Sequence, residues 1–333
     1  MINISAAFCK AAVYVQPVES SLSRPEILVA VKLWPVYMEM LCEAYTVHDR
    51  VHVQDPARFA AIAPHIRGIA ASGEAKVPAA LIQQLPALEI ISVFGVGYDG
   101  VDVAAARARG VPVTNTPDVL TDDVADLGVA LMLSISRRIP QADKFVRAGL
   151  WPNGPLPLSR KVSGARLGIV GLGRIGQAIA RRAEGFGMSI AYTTRDKKPD
   201  CTYMYYPNAQ ALAREVDFLI VITPGGEATR GLIDAKVLAA LGPKGYLINV
   251  ARGSVVDQAA LVHAVTTGAI AGAALDVFED EPNVPAELRA HENMVLTPHM
   301  ASGTWETRRA MAQLAFGNLQ AHFSGKPLLT PVP

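Results

Sequence analysis

The chain has 333 residues, of which 50% are apolar and 18% are charged, so it is long enough for two domains with separate cores. Its 31 basic and 30 acidic residues leave a net charge of +1, which argues against attraction to nucleic acid or to an anionic membrane surface. The three cysteines lie far apart and lack metal-ligand spacing, so neither a disulfide framework nor a metal site is expected.

The N-terminal segment carries no recognisable targeting signal. Its first residues lack the charged start and cleavage pattern of a secretion signal, and no stretch of the chain is apolar for the length of a membrane span. We therefore expect a cytoplasmic protein with a small-molecule ligand. Residues 1–24 precede the first predicted strand and are interpreted as an N-terminal extension or as the product of an early start codon.

From Glu26 onward, short β-branched runs alternate with helical stretches, a pattern typical of parallel sheets covered by helices. Strands are predicted at residues 27–31, 68–71, 89–94 and 111–114. Several of the helices between them begin with proline, which is favoured in the first helical turn. These helices are predicted at residues 35–41, 56–63, 78–85 and 101–109.

A long, buried helix is predicted to begin at Thr121. The Thr121 hydroxyl offers an N-terminal cap, and Asp122 and Asp123 add negative charge at the positive end of the helix. One face of this helix is apolar and carries Val124, Leu127, Leu131 and Ile135. The prolines and glycine of residues 151–158 then exclude regular structure.

A second alternation of strands and helices begins at Arg166. Its strands are predicted at residues 166–170, 189–193, 217–222, 246–250, 271–275 and 294–296. The last helix, residues 304–323, is expected to run back onto the first unit. The second unit would then be inserted into the first.

A glycine-rich turn follows the first strand of the second unit. Between that strand and a helix continuing to Glu184 stand Gly171, Leu172, Gly173, Arg174, Ile175 and Gly176. In this setting the glycines allow a tight turn and close approach to a pyrophosphate, whose charge is bound by free N–H groups at the helix start. A glycine-rich turn without a ligand is the alternative. Because a strand and a helix both flank the turn, we predict dinucleotide binding.

The two units define the expected fold class. The chain is interpreted as an α/β protein with two Rossmann-like or flavodoxin-like domains. A dinucleotide-binding domain, residues 121–299, is expected to be inserted into a substrate domain made of residues 1–120 and 300–333.

The residues at the end of the next predicted strand, 189–193, determine whether the site prefers NADH or NADPH. A carboxylate there would bond the adenosine ribose and repel a 2′-phosphate, but this chain has Thr193, Thr194 and Arg195 instead. Two hydroxyls and a guanidinium suit a phosphate dianion. A solvated turn is the alternative, and the following Asp196 counts against a pure phosphate site. The residues favour NADPH, with NADH as the second choice.

Three further segments resemble the signature segments of the D-2-hydroxyacid dehydrogenases. They are Asn249-Val-Ala-Arg252-Gly253, Leu275-Asp276 through Glu281-Pro282, and Thr297-Pro298-His299. Three ordered motifs beside a dinucleotide fingerprint make the resemblance specific, and it extends from Glu26 to the C-terminus. The resemblance implies a hydride transfer between a nicotinamide dinucleotide and a 2-oxo acid.

That chemistry requires the residue types that these segments supply. Arg252 can clamp the substrate carboxylate and polarise the adjacent carbonyl, while His299 can donate a proton near neutral pH. Glu281, on the other ring nitrogen, would orient the imidazole and favour its protonated form. Taken singly, each residue has a structural alternative: a surface ion pair, a loop charge, or a histidine bonded to backbone.

The resemblance also implies residues that contact the two ligands. On the nicotinamide side it points to Thr223, Pro224, Val250, Ala251 and Asp276, although Asp276 also fits a cap at a strand end. On the substrate side it points to backbone groups of Val96 and Gly97, and to Trp151, which would reach a neighbouring subunit's pocket. A homodimer is the expected assembly.

The resemblance is strongest to the NADPH-linked glyoxylate and hydroxypyruvate reductases, in residues 114–126 and 322–331. Three alternatives stay open. An NAD-dependent D-lactate dehydrogenase conflicts with the missing carboxylate at the strand end, and a phosphoglycerate dehydrogenase needs further basic groups. A corepressor-like NAD(H) sensor uses the same scaffold but tends to carry flexible flanking regions.

Overall fold

The computed structural model describes residues 24–333, so the interpretation of residues 1–24 as an extension lies almost entirely outside the described residues. In this part of the chain two parallel sheets form. The first contains β1 (Glu26–Val29), β2 (Thr46–Asp49), β3 (Ile66–Ser72), β4 (Ile90–Phe94) and β5 (Val113–Thr114). The second contains β6 (Arg166–Val170), β7 (Ser189–Thr193), β8 (Met204–Tyr205), β9 (Phe218–Val221), β10 (Tyr246–Asn249), β11 (Gly272–Leu275) and β12 (Met294–Leu296).

Helices cover both sheets. Those of the first half are α1 (Pro35–Ala44), α2 (Val51–Gln54), α3 (Pro56–Ile62), α4 (Ala79–Gln83), α5 (Val103–Ala108), α6 (Thr121–Arg137) and α7 (Ile139–Arg147). Those of the second half are α8 (Arg174–Glu184), α9 (Ala209–Ala213), α10 (Ala235–Leu241), α11 (Gln258–Thr266), α12 (Ala286–Ala290) and α13 (Trp305–Phe323). Over residues 24–333, no helix combines the length and apolarity needed to cross a bilayer.

The first sheet has the strand order β2-β1-β3-β4-β5, which is the flavodoxin-like order. Helix α13 packs against β4 and α1, as predicted, and so carries the C-terminus back to this sheet. The buried Ser92 hydroxyl of β4 donates to the carbonyl of Ala315 at 3.0 Å. Because Thr304 caps α13 by accepting from the Thr307 amide, the helix begins directly beyond the loop that carries His299.

The second sheet has the order β12-β11-β10-β9-β6-β7-β8, in which the direction of winding reverses between β6 and β9. Open parallel sheets bind ligands outside the carboxyl ends of their strands at such a point. Helix α6 packs against α8 and β10 and buries Val124, Leu131 and Ile135. The glycine turn after β6 and the Arg252 segment after β10 therefore open onto the same crevice.

The structure corrects two sequence predictions and adds two strands. Thr121 does not cap α6, because it is already the first helical residue and no side chain caps the preceding Leu120. Residues 151–158 are not wholly irregular, since Trp151–Asn153 forms one 3-10 turn. Strands β2 and β8 were not predicted: each is a short edge strand with few buried side chains, so neither has a clear apolar pattern.

Candidate active site

The glycine turn between β6 and α8 has a backbone conformation and close contacts that only glycine adopts without strain. Gly171 has φ +103, and its N–H donates to the carbonyl of Thr193 at 3.0 Å. A Cβ added at Gly176 would lie 2.1 Å from the carbonyl oxygen of Gly171. The first amides of α8 are thus held open beyond the strand ends. This cradle fits the pyrophosphate of a dinucleotide, whose charge the helix start stabilises.

Two substitutions in this turn should separate packing from ligand binding. Gly176→Ala should lower the free energy of unfolding by about 1–3 kcal/mol, because its methyl meets a backbone carbonyl that cannot yield. Gly173→Ala should leave stability unchanged, since nothing lies within 4 Å of its Cβ position, but it should weaken dinucleotide binding roughly tenfold by crowding the pyrophosphate. Thermal denaturation and fluorescence titration measure the two effects, and a stable Gly176→Ala protein would contradict the first.

The end of β7 presents the predicted selector residues in order. Thr193 is buried, Thr194 is half-buried with its hydroxyl donating to the carbonyl of Asp196 at 2.6 Å, and Arg195 is exposed. Among residues 24–333, no carboxylate lies within ion-pair distance of Arg195. The guanidinium is therefore available to an anionic ligand at the strand end.

The predicted nicotinamide-side backbone lines the same crevice. The amide nitrogen of Thr223 lies 2.9 Å from the Cβ position of Gly171, so the loop after β9 closes directly on the glycine turn. Pro224 follows it, and its carbonyl accepts from Thr229 at 2.7 Å. Val250 and Ala251 are buried at the end of β10. The structure thus places Thr223 against the fingerprint and the other three residues at or beside the ends of neighbouring strands.

Asp276 is fully buried at the end of β11, where its carboxylate accepts three internal hydrogen bonds. The donors are the Thr297 hydroxyl at 2.6 Å and the amides of Met300 and Ala301 at 2.9 and 3.0 Å. Burial raises the pKa of Asp276 above its usual range, and these hydrogen bonds oppose that effect. The carboxylate therefore holds the loop of residues 297–301, as expected of a cap at a strand end. A contact between Asp276 and the nicotinamide carboxamide stays a prediction.

His299 occupies this loop in a left-handed conformation, with φ +49. Such a backbone is costly for a residue with a side chain, and it persists here because the His299 amide donates to the carbonyl of Asp276 at 2.8 Å. The ring Nδ1 lies 2.7 Å from Glu281 Oε2. Burial by itself lowers the pKa of His299, but the hydrogen bond and charge of Glu281 raise it above the ordinary 6.5. The imidazole is set to carry a proton near neutral pH.

A second carboxylate, Glu74, faces the same imidazole from the first sheet. Its Oε1 lies 3.4 Å from His299 Nδ1, and the ligand atoms of Glu74, Glu281 and His299 all lie within 4.8 Å of one another. The charge of Glu74 also raises the pKa of His299. Sequence reasoning missed this residue, because Glu74 lies in a short loop after β3 and carries no motif of its own.

These charges set a pH dependence for any reaction in which His299 donates a proton. The protonated imidazole is the active form, so kcat should be constant below the raised pKa of His299 and should fall as pH rises through it. Glu74→Gln removes one of the charges that raise this pKa, so the descending limb should move to lower pH. Glu227→Gln, which affects an exposed carboxylate paired with Arg230, is the control and should leave the profile unchanged. An unmoved limb in Glu74→Gln would rule out its influence on His299.

Arg252 projects from the end of β10 toward the loop after β4. Its Nη1 donates to the carbonyl of Ala251 at 2.8 Å, and its Nη2 lies over Gly97. The Val96 carbonyl accepts from Asn115 at 2.9 Å, which fixes this loop. In the described part of the chain the amides of Val96 and Gly97 have no acceptor, so they remain available to a ligand near the guanidinium. Two N–H groups and a cation converge where a carboxylate could bind.

Trp151 is the one predicted site residue that the structure leaves apart. It lies in the 3-10 turn after α7 with 66% of its surface exposed. Within residues 24–333, no hydrogen bond, ion pair or ring contact joins it to Arg252 or His299. Its predicted approach to a substrate pocket therefore depends on a neighbouring subunit.

Comparisons with known proteins identify relatives of this chain. The family model described as D-isomer specific 2-hydroxyacid dehydrogenase, NAD binding domain, matches residues 129–301. Glyoxylate/hydroxypyruvate reductase A of Arabidopsis thaliana is 53% identical over 267 residues, which are 80% of this chain and 85% of that protein. Hydroxyphenylpyruvate reductase of Plectranthus scutellarioides is 53% identical over 270 residues, which are 81% of this chain and 86% of that protein.

A solved structure is similar over nearly the whole chain. It is the NADPH-dependent glyoxylate/hydroxypyruvate reductase of Sinorhizobium meliloti in complex with NADP and malonate. The two chains are 51% identical and superimpose with a TM-score of 0.88, covering 93% of this chain and 97% of that one.

Proposed function

Because this chain belongs to the D-isomer specific 2-hydroxyacid dehydrogenase family, we propose that it reduces a small 2-oxo acid, glyoxylate or hydroxypyruvate, to the 2-hydroxy acid with NADPH. The observation that carries the proposal is that Arg252 lies close enough to the His299–Glu281 pair for its charge to lower the pKa of both groups. The loop after β9, which packs on Arg252 through Gly225, also packs on the glycine turn through Thr223. These groups supply a carboxylate clamp and a proton donor within one crevice.

Arg252 and the loop of Val96 and Gly97 bind and orient the 2-oxo acid. The guanidinium attracts the substrate carboxylate and polarises the neighbouring carbonyl, while the two amides, which have no acceptor among residues 24–333, donate to the same anion. Orientation of this kind lowers the barrier by holding the keto carbon toward the cofactor crevice. When bound, a reduced nicotinamide supplies the hydride to that carbon.

His299 supplies the proton that the reduced oxygen needs. With Nδ1 bonded to Glu281, the imidazolium presents its Nε2 proton to the alkoxide that develops from the keto oxygen. Burial alone would raise the pKa of Glu281, but the hydrogen bond and charge of His299 lower it, so the glutamate stays ionised and keeps the imidazole protonated. Asp276 contributes by fixing the loop of residues 297–301.

The NADPH preference rests on Thr193, Thr194 and Arg195. A 2′-phosphate at this strand end would meet the exposed guanidinium of Arg195, which has no ion-pair partner among residues 24–333, beside the half-buried Thr194. No carboxylate of the β7 end itself would bond the ribose of NADH. The structural relative from Sinorhizobium meliloti, which is NADPH-dependent, supports the same choice.

Arg195→Ala should therefore raise the KM for NADPH by roughly 10- to 100-fold, as expected for a lost charge-assisted bond of about 1.5–3 kcal/mol. The KM for NADH should change little. Arg214→Ala, at another exposed arginine, is the matched control and should change neither value. An equal rise in KM for NADPH and NADH in Arg195→Ala would show that Arg195 does not bind the 2′-phosphate.

The activity itself is tested by following NADPH oxidation against glyoxylate, hydroxypyruvate, hydroxyphenylpyruvate and pyruvate. Highest kcat/KM with glyoxylate or hydroxypyruvate supports the proposal. Highest activity with pyruvate and NADH would instead indicate a D-lactate dehydrogenase. Dinucleotide binding without turnover on any acid would indicate a corepressor-like sensor.

The proposed enzyme is a homodimer with two domains, residues 1–120 with 300–333 and residues 121–299. Helix α7 supports the dimer, because none of its residues is buried while Ile139 and Val146 are more than half exposed. The separate sheets and the return of α13 to β4 support the domain division. Sedimentation at two protein concentrations measures the assembly.

A further inference from the structure

Asp99 meets Arg252 across the crevice between the two sheets. Asp99 lies in the loop after β4 of the first sheet, whereas Arg252 follows β10 of the second. The Arg252 Nε donates to Asp99 Oδ1 at 3.2 Å, and the two side chains are only 24% and 25% exposed. The pair therefore joins the sheet that carries the substrate loop to the sheet that carries the proposed carboxylate clamp.

Three glycines make room for this pair. A Cβ at Gly97 would lie 1.6 Å from Arg252 Nη2, and one at Gly73 would lie 3.3 Å from the same atom. A Cβ at Gly225 would lie 2.9 Å from both Arg252 Cγ and Asp99 Oδ2. Backbone from three different loops packs directly against the ion pair, so the guanidinium has little freedom to adopt another position.

The ion pair with Asp99 determines which edge of the Arg252 guanidinium stays available to a ligand. Nε is engaged by Asp99, and Nη1 donates to the carbonyl of Ala251 at 2.8 Å. Nη2 lies over the loop whose Val96 and Gly97 amides have no acceptor in the described chain. A ligand carboxylate must therefore approach the terminal nitrogens rather than the Nε edge.

We propose that Asp99 is a positioning residue, which holds the guanidinium of Arg252 so that its terminal nitrogens face the carboxylate of the 2-oxo acid. This inference rests on the proposed function, because it gives Arg252 the role of carboxylate clamp. An arginine side chain has many rotamers, and fixing it before the substrate arrives removes an entropic cost from binding. A partly exposed ion pair that served stability alone would contribute little of its own.

Asp99→Asn in the full-length protein tests the proposal, since it keeps the shape of the side chain and removes its charge. The KM for hydroxypyruvate should rise roughly 10- to 100-fold, because a misplaced binding group is costly, while kcat at saturation falls far less. The dissociation constant of oxamate, a non-reacting 2-oxo acid isostere, should rise by the same factor in the presence of NADPH. NADPH affinity should be unchanged.

The control is Asp102→Ala, which removes a helix cap. Asp102 lies three residues further along the chain and caps α5 by accepting from the Ala105 amide at 2.8 Å. This variant should lower the melting temperature and leave the hydroxypyruvate KM and the oxamate dissociation constant unchanged. If Asp99 served only stability, Asp99→Asn would likewise lower the melting temperature and leave the hydroxypyruvate KM and the oxamate dissociation constant unchanged.

A double-mutant cycle completes the test. If Asp99 acts only through Arg252, Asp99→Asn should change oxamate binding less than about twofold in the Arg252→Ala background. Unchanged oxamate binding in Asp99→Asn, or equal losses in both backgrounds, would overturn the proposal. Turnover by the unaltered protein is a separate readout: its absence on every 2-oxo acid contradicts the proposed function, while oxamate binding still decides the role of Asp99.

Discussion

His299→Ala should lower kcat for 2-oxo acid reduction by roughly 10²- to 10⁴-fold, the range expected when a general acid is removed. The imidazole is held 2.7 Å from Glu281, and among the described residues no other histidine takes part in this cluster. NADPH binding should persist, because the glycine turn after β6 does not involve the His299 loop. Stopped-flow turnover and fluorescence titration measure the two quantities.

The control for this variant is His263→Ala, which alters an exposed histidine of α11 and should leave kcat unchanged. Residual activity of His299→Ala within about tenfold of the unaltered protein would remove His299 from the acid role. A large loss accompanied by weakened NADPH binding would indicate a distorted loop instead. The melting temperature of each variant separates that case.

Arg252→Ala should have the second large effect, lowering kcat/KM for hydroxypyruvate between roughly 30- and 3,000-fold. Removing one partner of a hydrogen-bonded charge pair costs about 2–5 kcal/mol, and each 1.4 kcal/mol is tenfold. In Arg252→Ala the substrate carboxylate loses the cation that binds it, and Asp99 loses its ion-pair partner, which lies at 3.2 Å. Steady-state kinetics with varied hydroxypyruvate measure the effect.

Arg252→Lys should retain part of the activity, because an ammonium keeps the charge but lacks the planar fork that binds a carboxylate through two nitrogens. Arg230→Ala, at an exposed arginine paired with Glu227, is the control and should behave as the unaltered protein. Equal activity of Arg252→Ala and the unaltered protein would exclude Arg252 as the carboxylate clamp.

The sequence predicted the features that depend on local pattern. The alternation of strands and helices, the fingerprint after β6 and the helix over residues 304–323 all follow from short-range signals. The edge strands β2 and β8 escaped prediction because they bury few side chains, and the Thr121 cap was wrong because the helix begins at that residue rather than after it.

The sequence could not predict contacts made across the crevice. Glu74 and Asp99 lie in loops of the first sheet, and their approach to His299 and Arg252 depends on how the two sheets face each other. The left-handed backbone of His299 likewise depends on Asp276, whose backbone carbonyl accepts from the His299 amide. These contacts orient the proposed clamp and proton donor, so they determine how well the recognised motifs would work.

The most direct measurement follows the transferred hydrogen. The protein is incubated with hydroxypyruvate and NADPH carrying deuterium at the nicotinamide C4, and the product is examined by mass spectrometry and chiral chromatography. Reduction at the keto carbon by this enzyme predicts D-glycerate with one deuterium at C2 when the label is on the transferred face. Absence of glycerate, or glycerate without deuterium from either labelled face, would contradict the proposed hydride transfer.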